Sequence, residues 1–142
     1  MAKTKRYAVL FDLESVRVPY ATFAAALEEL SKNAQIVSCK FYGYSTKRSR
    51  DYAEFIEENG YEALSPLSGK KKGALDMRQV IDAVEMAQSP NIDGFFLIYG
   101  AGDLTPLIAY LKAFNLEVVA GVVEPDQNSV MCTKTIILKV ED

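Results

Sequence analysis

Three aspartates, Asp12, Asp76 and Asp103, hold the strongest claim to chemistry in this sequence, because each stands where an apolar run or a loop gives way to a turn or a helix start. Histidine is absent. That removes the Ser-His and Cys-His pairs and the usual imidazole base, so any reaction must run on carboxylates, lysines or metal ions. Three carboxylates converging on one crevice repel one another, and a hard divalent cation, Mg²⁺ or Mn²⁺, held through oxygens with several waters kept, relieves that repulsion. Such an ion activates water and neutralises charge on a phosphodiester in the transition state, so metal-assisted phosphodiester hydrolysis is the reaction class natural to the set. A blander role competes: an aspartate at a helix N-terminus stabilises it by capping, worth about 0.5–2 kcal/mol. Taken singly, Asp76 and Asp103 are read more readily as caps. Asp12 is different, because a carboxylate ending a buried strand needs a partner to offset its desolvation.

Basic residues flank the same positions. Lys47, Arg48 and Arg50 follow the second apolar segment, and Lys70, Lys71 and Lys72 precede Asp76. They are placed to grip phosphates on either side of a cleavage point, while Tyr42, Tyr44 and Tyr99 offer faces on which bases of single-stranded RNA could stack. The competing reading makes the lysines a solvated turn and the tyrosines sheet residues. Asp82 and Glu85 read as helix-surface acids.

The elements that must position these residues follow from periodicity. Tyr7-Ala8-Val9-Leu10-Phe11 is a continuous apolar run ending in Asp12, the pattern of a strand buried on both faces of a parallel sheet, and is expected to be central. Residues 20–32 place Phe23, Ala24, Leu27 and Leu30 at helical spacing. Residues 36–44 alternate Val37, Cys39 and Phe41 against Ser38, Lys40 and Tyr42, as a strand does. A helix over 48–59 closes at Gly60, a short strand is expected at 62–64, and residues 65–73 are rich in turn formers and read as a loop. Beyond it come a helix over 74–88 with Leu75, Val80, Ile81, Val84 and Met86 as apolar contacts, a strand over 94–99, a helix over 105–115, a strand over 116–123 and an edge strand over 135–140. Strands alternating with helices predict a three-layer α/β/α sandwich with a mostly parallel, Rossmann-like central sheet. In such a sheet the ligand crevice lies beyond the carboxyl ends of the strands, where the acids and both basic groups emerge.

Composition sets the outer limits. With 142 residues and 49% hydrophobic content, the chain is expected to form a single domain over 1–142. Sixteen basic against nineteen acidic side chains give a formal charge of -3, so any nucleic-acid contact must be a local patch rather than a bulk electrostatic coat. Cys39 and Cys132 have no spacing that suggests a disulfide framework or a zinc site, and are expected as buried thiols. The apolar run after Arg6 is too short for a signal peptide or a membrane span, so a cytoplasmic protein is expected. The apolar final strand at an edge leaves a homodimer open.

Three blocks, in order between residues 9 and 138, resemble the NYN domain family of PIN-like ribonucleases. The first is a strand ending in aspartate, Leu10-Phe11-Asp12-Leu13-Glu14-Ser15-Val16. The second is a lysine, a short gap, an aspartate and a helix with another aspartate, Lys72-Gly73-Ala74-Leu75-Asp76-Met77-Arg78-Gln79-Val80-Ile81-Asp82-Ala83. The third, strand then Gly-Asp-x-Asp-Phe-x-Pro-Leu in the family, is Leu97-Ile98-Tyr99-Gly100-Ala101-Gly102-Asp103-Leu104-Thr105-Pro106-Leu107 here.

The resemblance implies a PIN-like fold and Mg²⁺- or Mn²⁺-dependent ribonuclease activity, with Asp12, Asp76 and Asp103 as catalytic acids and metal ligands and Asp82 at another frequent acidic position. Ser15, Lys47, Arg48, Lys70, Lys71 and Lys72 are the residues expected to meet the RNA. The chain departs from the family pattern at Ser15, where the family has asparagine, at Ala101 in place of an aspartate, at Leu104 in place of phenylalanine and at Lys134 in place of an acid. A vacant ligand position can be filled by water, but it weakens metal affinity and misplaces the nucleophile.

Two functions therefore stand side by side: a metal-dependent endoribonuclease acting on single-stranded RNA, and a catalytically degenerate relative that binds RNA or a protein. A haloacid-dehalogenase-like phosphatase fits poorly, since Glu14 replaces the second aspartate of its Asp-x-Asp start and no later acidic pair follows. A flavodoxin-like nucleotide binder rests on fold alone, because Gly100-Ala101-Gly102 lacks the third glycine of a dinucleotide fingerprint.

Overall fold

The longest apolar runs of the chain make the middle of a six-stranded sheet. A computed structural model describes residues 4–71, 74–100 and 102–140; Lys72 and Ala101, both singled out above, lie outside the described residues. In chain order the elements are β1 (Lys5–Asp12), α1 (Tyr20–Ser31), β2 (Ala34–Tyr42), a 3₁₀ turn (Arg50–Tyr52) running into α2 (Ala53–Asn59), β3 (Glu62–Leu64), α3 (Met77–Met86), β4 (Gly94–Ile98), α4 (Thr105–Ala113), β5 (Glu117–Val122), α5 (Gln127–Met131) and β6 (Lys134–Ile137). The strand order is β3-β2-β1-β4-β5-β6 and every pairing is parallel, where the sequence predicted a mostly parallel sheet. This is the doubly wound order, with its reversal between β1 and β4.

Alternate residues of β1 feed two cores. Val9 and Phe11 face α1 and α2 in an aromatic cluster with Phe23, Phe41 and Tyr52, while Ala8 and Leu10 face Ala83 of α3 and Leu107, Ile108 and Leu111 of α4. Phe11 lies 5.2 Å from Phe23 and meets Tyr52 edge-on at 5.6 Å, the tilted geometry that aromatic quadrupoles prefer. Tyr52 also donates its hydroxyl to Val18 O at 2.5 Å, which ties the loop after β1 to the second helical layer.

Four local expectations need correction. Val37 is exposed instead of sharing a face with Cys39 and Phe41, because Tyr7 and Ala8 pair with Ile36 and Ser38, leaving Val37 as the extra residue of a bulge. Helix α3 starts at Met77 rather than 74, because Asp76 is extended (φ -88, ψ 108) and caps it. On that helix Ile81 is 57% exposed, whereas Asp76, Gln79, Ala83 and Ala87, spaced by three and four, form the buried stripe. The stretch between β5 and β6, assigned no element from sequence, holds α5, opened by a capping box between Asp126 and Ser129.

Candidate functional site

Asp12 ends β1 beside the switch point and is fully buried. The chain turns immediately after it, and the amides of Glu14 and Ser15 both donate to Asp12 Oδ1, at 3.2 and 3.1 Å. Oδ2 is buried too, and among the described residues no group bonds to it. Burial pushes the Asp12 carboxyl above the usual carboxylate range, and the nearby charge of Asp76 adds to the rise, against the Ser15 amide and the Lys70 charge, which favour ionisation.

Asp76 is also buried and, like Asp12, lies near the charge of Lys70. As the N-cap of α3 it accepts from Arg78 N at 3.0 Å, and the Arg78 guanidinium then takes both carboxylate oxygens, Nε to Oδ1 at 3.0 Å and NH2 to Oδ2 at 2.7 Å. Burial alone would raise this carboxyl, but the Arg78 hydrogen bonds outweigh it and hold Asp76 below the ordinary value. The same guanidinium reaches Ser65 O at 2.8 Å, joining the loop after β3 to the helix start.

Two carboxylates, Asp76 and Glu14, thus pair with three cations around the crevice. Besides Asp76 and Arg78, Glu14 receives Lys70 at 2.8 Å and Arg48 at 3.5 Å, and Lys70 also donates to Ala74 O at 2.5 Å. Lys70 is consequently the main cause of the lowered Glu14 carboxyl. Below this layer, Gln79 Nε2 donates to Leu10 O at 2.9 Å and Ile98 O at 3.2 Å, bridging the carboxyl ends of β1 and β4, while its Oε1 is buried and bonds to no group among the described residues. Across the switch point Ser15 Oγ accepts from Gly100 N at 3.1 Å, and the approach is so close that a Cβ on Gly100 would stand 2.0 Å from Ser15 O.

Asp103 stands on the rim, after β4, fully exposed, with its Oδ1 accepting from Thr105 N at 3.0 Å and Thr105 Oγ1 at 2.6 Å. Its loop is held by buried Asn128 of α5, which accepts from Leu104 N at 2.8 Å and donates to Gly102 O at 3.0 Å. The structure therefore brings Asp12 and Asp76 together, with Asp103 at the same end of the sheet but tied to Thr105. Among the described residues no three Asp, Glu, Cys or His side chains are grouped closely enough to hold a metal ion. Asp82 lies within the α3–sheet contact, accepting from Lys40 at 3.1 Å and Tyr42 at 2.7 Å.

The basic residues divide. Lys47 and Arg48 line an open cleft of about 1010 Å³ beside Glu14 and Ser15, joined there by Arg17. Lys71 is exposed, whereas the Lys70 side chain is only 9% exposed. Tyr42 and Tyr99 cannot stack on bases, because both rings are buried and their hydroxyls bond to Asp82 and Asp126. Tyr44 is half-buried. Sequence reasoning passed over Arg78, Gln79 and Asn128. Arg78 follows Asp76 by two residues, the spacing of a local carboxylate clamp, while Gln79 and Asn128 sit on faces whose burial shows only in three dimensions.

An all-parallel doubly wound sheet, with Asp12 and Asp76 beyond its switch point, defines an α/β domain. The chain belongs to the NYN domain family, whose model matches residues 6–138, and NYN is part of the PIN-like superfamily. No curated protein matches it. Among solved structures, "The structure of Sir2Af2 bound to a myristoylated histone peptide" is 13% identical with a TM-score of 0.47, covering 95% of this chain and 86% of that one. "Structural Basis for the Mechanism and Regulation of Sir2 Enzymes" is 13% identical at a TM-score of 0.48, covering 95% and 87%. No helix among the described residues is long and apolar enough to cross a membrane.

Proposed function

We propose that this domain is a metal-dependent endoribonuclease of the NYN type, acting on single-stranded RNA in the crevice beyond β1 and β4. The observation that carries the reading is Asp12, a buried carboxylate with one oxygen saturated by two backbone amides and the other bonded to no group among the described residues. An oxygen so placed suits a cation; Asp12 and Asp76 would be the two direct protein ligands, with Asp103 on the rim reaching the ion only through water, a sparse set of the kind Mg²⁺ or Mn²⁺ completes with waters. Bound there, a divalent ion supplies charge neutralisation at the phosphodiester and an activated water.

The chain's own residues supply position. The Glu14 and Ser15 amides aim Asp12, and the Gly100 contact fixes the loop that carries them. Arg17, Lys47 and Arg48 line the neighbouring cleft with positive charge, and Lys71 is exposed to receive a phosphate. The test is cleavage of end-labelled single-stranded RNA with Mn²⁺ and with EDTA. A cut that needs Mn²⁺ and vanishes in Asp12→Asn supports the proposal, and its absence refutes it.

A second reading, RNA binding without cleavage, is favoured by one specific observation: Arg78 already neutralises Asp76 through both oxygens. In that case RNA affinity survives EDTA and Asp12→Asn. A cytoplasmic site of action belongs to both readings. The unpaired outer edge of β6 supports a homodimer, which sedimentation at micromolar concentration tests.

A further inference from the structure

We infer that Arg78 is a built-in counter-ion that competes with a divalent cation for Asp76, so that loading the site requires the guanidinium to swing away from the carboxylate and from Ser65. This rests on the metal-dependent reading above and adds to it an exchange of one cation for another. A carboxylate oxygen has two lone-pair directions. On Asp76 Oδ1 both are taken, by the amide and by Nε of Arg78, and on Oδ2 one is taken by NH2 at 2.7 Å. An ion using the last direction would stand against a guanidinium held on the same oxygen, inside a group that is 1% exposed, where like charges repel most strongly.

The opposite exchange is easy to accommodate. Arg78 is 26% exposed, so its head has solvent to enter. Lys70 cannot take its place, being committed to Glu14 and Ala74 O. Once the Arg78 head leaves, Asp76 keeps only the Arg78 backbone amide and has no counter-ion in contact, a condition that draws in another cation. The same swing breaks the bond to Ser65 O, so an ion at Asp76 also unties the start of the loop that carries Lys70 and Lys71.

The experiment is Mn²⁺ titration of the full chain by electron paramagnetic resonance, comparing the wild type with Arg78→Gln, Arg78→Lys and the double variant Asp12→Asn with Arg78→Gln. Arg78→Gln is expected to bind Mn²⁺ about tenfold more tightly. Arg78→Lys, a point charge that cannot bridge both oxygens, should gain less. The double variant should lose the gain. In parallel, Mg²⁺ titration of the wild type should shift the Arg78 Nε–Hε resonance, a readout that also decides the matter if Arg78→Gln does not fold. Equal or weaker Mn²⁺ affinity in a folded Arg78→Gln, or a static Arg78 resonance while Mg²⁺ binds, overturns the inference and leaves the nuclease reading standing. No Mn²⁺ binding by either the wild type or Arg78→Gln overturns both.

Discussion

The ammonium of Lys70 lies 2.8 Å from a carboxylate oxygen of Glu14, tying the loop before α3 to the loop after β1. Lys70 is thus part of the wall and has little freedom to meet a phosphate. Neighbouring Lys71, and Lys47 in the lining of the cleft, are exposed. For RNA binding this predicts that Lys71→Ala and Lys47→Ala each reduce the salt slope by about one half to one ion, as loss of one phosphate contact on a single strand does. Lys70→Ala should leave the slope nearly unchanged and lower stability by about 1–3 kcal/mol, the cost of removing a charged hydrogen-bond partner. Filter binding across a salt series and urea unfolding measure the two effects.

Asp12 predicts an inverted pH response. Its carboxyl is raised in the folded chain, so the stability linked to its proton is fully present below the ordinary aspartate value and is lost as pH rises through the raised one. Asp12→Asn, which keeps an acceptor for the two amides and carries no charge, removes that loss. The variant should melt about 2–5 °C above the wild type at neutral pH, with the gap closing towards pH 4. Scanning calorimetry from pH 4 to 8 checks it, and a wild type that melts higher at every pH contradicts it.

Gln79 holds the ends of β1 and β4 with one amide nitrogen. Gln79→Leu removes both bonds while relieving the unpaired Oε1. A net loss of about 1–2 kcal/mol is expected from urea unfolding, and hydrogen exchange should quicken near Asp12 and Gly100 before it does in β5.

Asp82 shares a helix with Asp76 but serves the packing of α3 on β2 through Lys40 and Tyr42. Asp82→Ala leaves the buried Tyr42 hydroxyl without its acceptor and should cost about 2 kcal/mol. Mn²⁺ affinity should stay within about twofold of the wild type. A tenfold loss of affinity without a loss of stability would place Asp82 at the metal instead.

The central strands were legible because β1 and β4 are buried on both faces and show it as unbroken apolar runs ending at a polar turn. The acids at their carboxyl ends followed from parallel topology, which puts every strand's exit on one side. What escaped was decided by close approach. On α3 the periodicity pointed to Ile81, yet the helix lies against the strand ends through Ala83 and the Gln79 amide, where backbone carbonyls call for a donor. The bulge at Val37 has no compositional mark, and α5, five residues long, is too short for a helical period to register. Tyr42 and Tyr99 looked available for bases because alternation alone does not tell a solvent face from one covered by a second helical layer.

The contact of Gly100 with Ser15 sets backbone directly on backbone, with no side chain between to yield. The two loops therefore form one inflexible jamb, and the doorway cannot be widened by spreading them. The opposite post is held by side chains instead, Lys70 on Glu14 and Arg78 on Ser65, and a turn about side-chain bonds is enough to release it.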